Sequence, residues 1–446
     1  MRTRAPPQPF HGRHIMATSP DALADALTLP GPVGADRRGW RRAYDADPAG
    51  FLSASQERWG DTFTLDKNLV VVGDPDMAHQ ILVATDRESV IGPDRLEGRF
   101  PTAEETREWM GTRKLIGRVL TPQAVRGQLP RLEQAVSTGL ESLAGGGPFD
   151  PMAVTHETCL RAFLPMYLPG PAPAVVSALR DSIRAALVLA DAGVHLPRWW
   201  PSSMRRRVLT ARRRVHAELR ALITAQRPDD QVPSDSPTLS DLLRTASVPT
   251  DQAVHVLGNA LSKGLPATAG AWSWLLHDLA ARPDDMARIR DEAIACRASG
   301  EELSYTRAFV RESMRTHPPA WLLARETTAP TAVSERCTVP AGTTLFVSPY
   351  LIHRDPRYWP DPHRFTPDRW TSPHTERHRY AYLPFGAGPR VCVGLHLGEV
   401  LLTLTAARIA TDHHLTVTTP ATAPAFRSVL QPTGIRLQLT RRAPGA

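Results

Sequence analysis

The chain has few cysteines, four in 446 residues. Cys159, Cys296, Cys337 and Cys392 show no C-x-x-C spacing, which excludes a disulfide framework. Three of them are expected to be buried or inert. No apolar run near the N-terminus reaches the roughly 20 residues that a membrane span needs, and residues 1–30 lack the apolar core of a signal peptide. A cytoplasmic protein is therefore expected. No low-complexity linker and no internal repeat interrupts the chain. No aromatic-basic module accompanies its charge, so nucleic acid is not an expected partner. His374, His378, His413 and His414 lack the spacing of a second metal ligand and are read as surface residues. Lysine is scarce beside arginine and alanine, a composition of high-GC bacteria.

What the chain does have is arginine. The net charge is +8, with clusters at Arg205-Arg-Arg207 and Arg212-Arg-Arg214. A basic surface attracts acidic electron carriers, anionic substrates or membranes. The plainer reading, and the one kept here, is a solvated helix face. Trp199-Trp200-Pro201 before it reads as a packed loop anchor. Length alone suggests two or three domains. The pattern favours one mainly helical unit with a small β part over 29–446. Residues 1–28, rich in Pro, Arg and His and unpatterned, are expected to be a disordered extension.

One stretch carries chemistry. Phe385-Gly-Ala-Gly-Pro-Arg-Val-Cys392-Val-Gly394 places a cysteine in a glycine-rich loop. The thiolate, not the thiol, ligates metals, so its charge needs support. Gly386, Gly388 and Gly394 permit the tight turns that aim backbone N–H groups at a sulfur. The apolar run after Gly394 reads as a helix, and the positive end of its dipole favours a thiolate.

This loop resembles the haem-binding loop of the cytochrome P-450 family, Phe-x-x-Gly-x-Arg-x-Cys-x-Gly, at every fixed position. The resemblance extends from about Leu29 to about Leu439. Glu312-Ser-Met-Arg315, ahead of Pro318-Pro319, resembles the family's Glu-x-x-Arg helix. With Arg364, in the run Pro362-His-Arg-Phe365 that precedes Pro367-Asp-Arg-Trp370, it implies a structural network behind the haem. Val339-Pro-Ala-Gly-Thr343 and His353-Arg-Asp-Pro356 resemble the family's strand pair and turn. Trp109-Met-Gly-Thr-Arg113 resembles its Trp-x-x-x-Arg helix, so Trp109, Arg113, Arg325 and Arg390 are implied to hold the propionates of haem b. Cys392 is implied as the iron ligand, within a pocket that includes Phe385, Gly264 and Gly394. The implied fold is a triangular helical prism around a buried haem. Asp66-Lys-Asn68 is expected to join Thr62–Leu65 and Leu69–Val72 as a hairpin.

One segment departs from the family. Residues 250–281 read as a long helix, with Val254, Leu257, Leu261 and Leu265 on one face. It is similar to the helix that crosses the haem and normally carries Ala-Gly-x-Asp/Glu-Thr-Thr. The matching residues are Lys263-Gly-Leu-Pro-Ala-Thr268. Pro266 stands where the acid belongs and Ala267 where the first threonine belongs, leaving Thr268. Pro266 is expected to kink or open the helix near Ser262. Gly264 and Ala267 are expected to leave room above the iron.

The expected activity is that of a haem-thiolate monooxygenase or oxidase in bacterial specialised metabolism, acting on an apolar or mixed-polarity small molecule. Asn259, Gly264, Ala320, Leu322, Leu323 and Val429 are expected to line the substrate site. Ferredoxin and ferredoxin reductase are the expected electron donors, and a monomer the expected state. The departure keeps other readings open. A water or substrate hydroxyl can replace the proton relay. Peroxide can serve as oxidant. A substrate with a pre-formed N–O or O–O bond needs neither oxygen nor electrons. Outside the enzymes, a non-catalytic haem-binding accessory protein is the alternative, opposed by the intact cysteine loop.

Overall fold

The structure is a computed structural model. It describes residues 29–32, 37–66, 68–84, 89–90, 103–170, 172–191, 202–225, 237–299, 302–334, 337–372, 377–421 and 423–443. The expected extension at 1–28, Trp199, Trp200 and His374 lie outside them.

The chain opens with α1 (Arg37–Ala46) and α2 (Pro48–Trp59), then the hairpin β1 (Thr62–Asp66) and β2 (Leu69–Val72), then α3 (Pro75–Val83) and β3 (Ser89–Val90). A helical stretch follows: α4 (Ala103–Val119), α5 (Pro122–Gly127), α6 (Leu129–Ala144), α7 (Pro151–Tyr167), α8 (Pro173–Asp191), α9 (Ser203–Ala225) and α10 (Leu239–Thr245). Then come the long α11 (Thr250–Ala280), α12 (Pro283–Ser299) and α13 (Ser304–Thr316). Four short strands follow: β4 (Leu323–Thr327), β5 (Thr331–Ser334), β6 (Cys337–Val339) and β7 (Thr344–Val347). The short α14 (Pro349–Ile352) leads to 3-10 turns at Pro367–Trp370 and Gly388–Arg390, and then to α15 (Leu395–Asp412). The chain ends with β8 (His413–Thr419), β9 (Ala423–Phe426), β10 (Leu430–Thr433) and β11 (Arg436–Arg441).

Local sequence sets many of these boundaries. Asp47-Pro48, Asp74-Pro75, Thr121-Pro122 and Asp150-Pro151 each start a helix, with the acid or hydroxyl accepting a backbone N–H of the first turn. Proline at the first helical position loses no bond, since that N–H has no partner within the helix. The expected hairpin forms, with Phe63 opposite Val71. It joins a five-stranded sheet in the order β1-β2-β7-β4-β3. There β2 runs parallel to β7 across a separation of over 270 residues.

The main core lies among the helices, where Leu132, Leu257, Leu261, Leu265, Phe309 and Leu401 are fully buried. A second cluster under the sheet holds Val72, Leu345, Val347 and Trp359. The expected opening at Pro266 does not occur, and α11 runs through it as helix. Its neighbours Leu261, Leu265 and Ala269 are sealed in the core, and this packing holds the turn that proline weakens. His413 is also not a surface residue. It is 3 % exposed at the start of β8, on the inward face of the strand that it shares with Leu415. No helix among the described residues is long and apolar enough to cross a membrane.

Candidate active site

The cysteine loop is closed by its own backbone. The Cys392 N–H donates to the Phe385 carbonyl at 2.9 Å, and Val391 N–H to Gly388 at 3.0 Å. Gly388 has φ +72°, and a Cβ there would stand 2.4 Å from the Leu82 carbonyl oxygen of α3. Only glycine fits that approach. Gly386 also has positive φ. Gly394 does not: it caps α15 at φ −90°. Its N–H instead bonds the Cys392 sulfur. The Phe385 ring lies against Gly398, 3.6 Å from where a Cβ would stand.

Cys392 is exposed, while burial is the largest influence on its thiol and pushes it up. The Gly394 N–H and the nearby Arg113 pull it back toward the anion. Cys159 and Cys337 are buried, with thiols raised by desolvation, as expected of inert cysteines. Cys296 is half-buried.

Arg113 reaches from α4 to the Val391 carbonyl beside the cysteine. Trp109 lies one turn earlier on α4, and its side chain is outside the described residues. Arg325 and Arg390 are both nearly buried, at 8 % and 9 % exposed. Arg325 sits on β4, whose Leu323 lies 3.7 Å from the Cβ position of Gly386. Strand and loop therefore adjoin.

Behind the loop, Glu312 and Arg315 are both fully buried on α13. Arg315 donates from Nε and Nη2 to the two Glu312 oxygens, each at 2.9 Å. The expected third member differs. Arg364 is exposed and contributes its carbonyl, which accepts from Arg315 at 3.2 Å. The second guanidinium on Glu312 is that of Arg369, at 3.1 Å, with the Trp370 indole at 2.9 Å and the Thr366 N–H at 2.8 Å. The Pro-Asp-Arg-Trp run carried the signal. Burial raises the Glu312 carboxyl, but these donors outweigh it and hold it low.

The network continues to the loop. Arg315 Nη1 donates to the His353 carbonyl at 2.8 Å. The Leu383 N–H donates to His353 Nε2 at 2.8 Å. That leaves Nδ1 to donate to the Arg315 carbonyl at 3.2 Å, so the ring is neutral. Burial and the neighbouring arginines push it well below the usual histidine range. Leu383 stands two residues before Phe385, so His353 couples the α13 network to the cysteine loop.

On α11, Gly264, Ala267 and Thr268 share a face at i, i+3, i+4 spacing. Gly264 is exposed, and Pro266, Ala267 and Thr268 are half-buried. Where a Gly264 Cβ would stand, the one atom within 4 Å is in the Phe163 ring, 3.9 Å away, an ordinary contact. The Thr268 hydroxyl donates to the Gly264 carbonyl at 2.9 Å. One face later, Gly270 lies 3.6 Å from Val429 and 3.2 Å from the Leu430 carbonyl oxygen, by its Cβ position. This brings the β9–β10 hairpin onto α11. Asn259, Ala320 and Leu323 are half-buried, and Leu322 packs against the Trp321–Leu430 cluster. Buried Tyr167, at the end of α7, has its hydroxyl pushed up by burial first and then by the nearby Cys392; nothing in its spacing marked it. Among the described residues no group of three metal-ligating side chains gathers.

One soft thiol with an N–H at its sulfur, with cationic side chains on the adjoining α4, β4 and loop, fits an iron porphyrin bearing two carboxylates. Residues 178–437 match the profile of the family Cytochrome P-450, and the chain belongs to that family. It is 36 % identical over 200 residues to cyclooctatin synthase of Streptomyces melanosporofaciens, covering 41 % of this chain and 43 % of that one. It is 40 % identical over 160 residues to cyclooctat-9-en-7-ol 5-monooxygenase of the same organism, covering 34 % of each. The chain thus spans less than half the length of these relatives. The fold matches that of a retinoic acid-bound cyanobacterial CYP120A1 with TM-score 0.70 at 19 % identity, over 89 % of this chain and 95 % of that one.

Proposed function

We propose that the chain is a haem-thiolate monooxygenase or oxidase that acts on an apolar or mixed-polarity small molecule in bacterial specialised metabolism. The observation that carries this reading is Cys392, exposed in a loop closed by its own backbone just ahead of α15. The two Streptomyces relatives, named as a synthase and a 5-monooxygenase, support it. Cys392 would ligate the iron of haem b. Trp109, Arg113, Arg325 and Arg390 would hold its propionates, and Phe385 would brace the loop. When bound, such a haem supplies oxygen activation, because the thiolate favours O–O cleavage. Electrons would come from ferredoxin and ferredoxin reductase.

The chain's own proton delivery is sparse. Pro266 and Ala267 carry no exchangeable side-chain proton, and the Thr268 hydroxyl is engaged by the Gly264 carbonyl. To donate elsewhere it must turn off that carbonyl or be bridged by water. General acid catalysis of this kind is typically worth about 10²–10⁴-fold. This observation favours a second reading, in which peroxide or a pre-formed N–O or O–O bond replaces dioxygen and electrons.

Turnover of the pathway intermediate separates the two readings. Monooxygenation requires the donor chain and stops without it; turnover with neither donor nor peroxide excludes it. Pro266→Glu with Ala267→Thr should raise donor-driven oxidation 10-fold or more if proton supply limits the rate. Loss of native turnover with retained haem would assign the altered helix to the mechanism.

A further inference from the structure

Outside this site, α8 and α9 pack antiparallel and leave a groove of about 690 Å³ between them. That is within the range of small-molecule sites. It opens because small residues, Ala185 and Ala211, stand on the facing sides. Val188 and Met204 add apolar surface to it, and Val188 is 55 % exposed. Arg184, Arg206, Arg207 and Arg214 also line the groove, against one carboxylate, Asp181. Arg214 is paired with Asp181 at 3.2 Å, both half-exposed, and such a pair is weak. Among the described residues, no ion pair engages Arg184, Arg206 or Arg207.

A purely solvated arginine face needs neither a concavity nor an exposed valine. Two features point to one kind of occupant. Cations in excess favour an anionic head, and an apolar wall favours an aliphatic chain. A bilayer surface presents its head groups to raised patches, whereas Ala185 and Met204 here are half-buried between two helices. We propose that the α8–α9 groove binds a single-chain anionic amphiphile, with a carboxylate or phosphate head against the arginines and its chain along Ala185, Val188 and Met204. The groove shares no lining residue with the candidate active site, so the proposal stands whether or not the haem-thiolate reading holds.

Calorimetric titration of the purified holoprotein with dodecyl phosphate, below its micelle concentration, tests this. Laurate serves as the carboxylate arm, inorganic phosphate as the arm without a chain, and dodecyl maltoside as the arm without charge. The proposal expects saturable binding of dodecyl phosphate or laurate with no change in the Soret band, and at least tenfold weaker binding of the other two. Arg184→Glu with Arg207→Glu should weaken the amphiphile at least tenfold. Ala185→Trp, which fills the groove and keeps its charge, should do the same while inorganic phosphate is unaffected. Equal binding of dodecyl maltoside, indifference to both variants, or a stoichiometric Soret shift would overturn the proposal. So would flotation with phosphatidylglycerol vesicles in the absence of binding to the monomeric amphiphiles, which would assign the arginines to a bilayer.

Discussion

At the scale of single residues, Glu312 shows how much partner choice matters. It is fully buried, and a buried carboxylate is tolerable only when its oxygens are bonded. Arg315, Arg369, Trp370 and the Thr366 N–H supply those bonds. Arg369→Ala should therefore cost about 1.5–3 kcal/mol in urea unfolding and lower haem retention. Arg364→Ala, which removes only an exposed side chain, should stay within about 0.5 kcal/mol. Equal losses would contradict this assignment. The glutamate and its helical arginine were legible, because i, i+3 spacing fixes their meeting. The second arginine was not, because two candidates lie five residues apart and only the turn at Pro367–Trp370 decides which side chain turns inward.

At the scale of elements, the coupling piece is His353, after α14, which ties α13 to the cysteine loop. Its ring is neutral, held well below the usual range by burial and then by the arginines. The unfolded chain takes up a proton near pH 6.5, while the folded chain resists. Because the unfolded state then binds more protons, this contribution is present above about pH 6.5 and is lost as pH falls below it. Stability from urea melts should decline from pH 7 toward pH 5, and His353→Asn should flatten that slope while lowering stability at pH 8. An unchanged slope would remove His353 from the account. For α11, the helix was legible from its 3.6-residue period and its continuity through Pro266 was not. A helix-interior proline costs about 3 kcal/mol, and fully burying each of Leu261 and Leu265 is worth about 1.5–3 kcal/mol. The core term wins, and it depends on partners distant in sequence.

At the scale of the whole molecule, the helical class and the cysteine loop could be read from local signals. The sheet order could not, since β2 pairs with β7 and β7 with β4 through contacts that no local pattern encodes. The fold brings α4, β4, the Phe385–Gly394 loop and α15 together, and the central claim is that this assembly presents Cys392 as the axial ligand of a haem iron. The most direct test is the absorption spectrum of the reduced protein under carbon monoxide, for wild type and for Cys392→Ser. The account predicts a Soret band shifted far to the red in the wild type, and its loss in the variant with haem still bound. A wild-type spectrum without that shift, or one that Cys392→Ser leaves unchanged, would contradict the thiolate assignment.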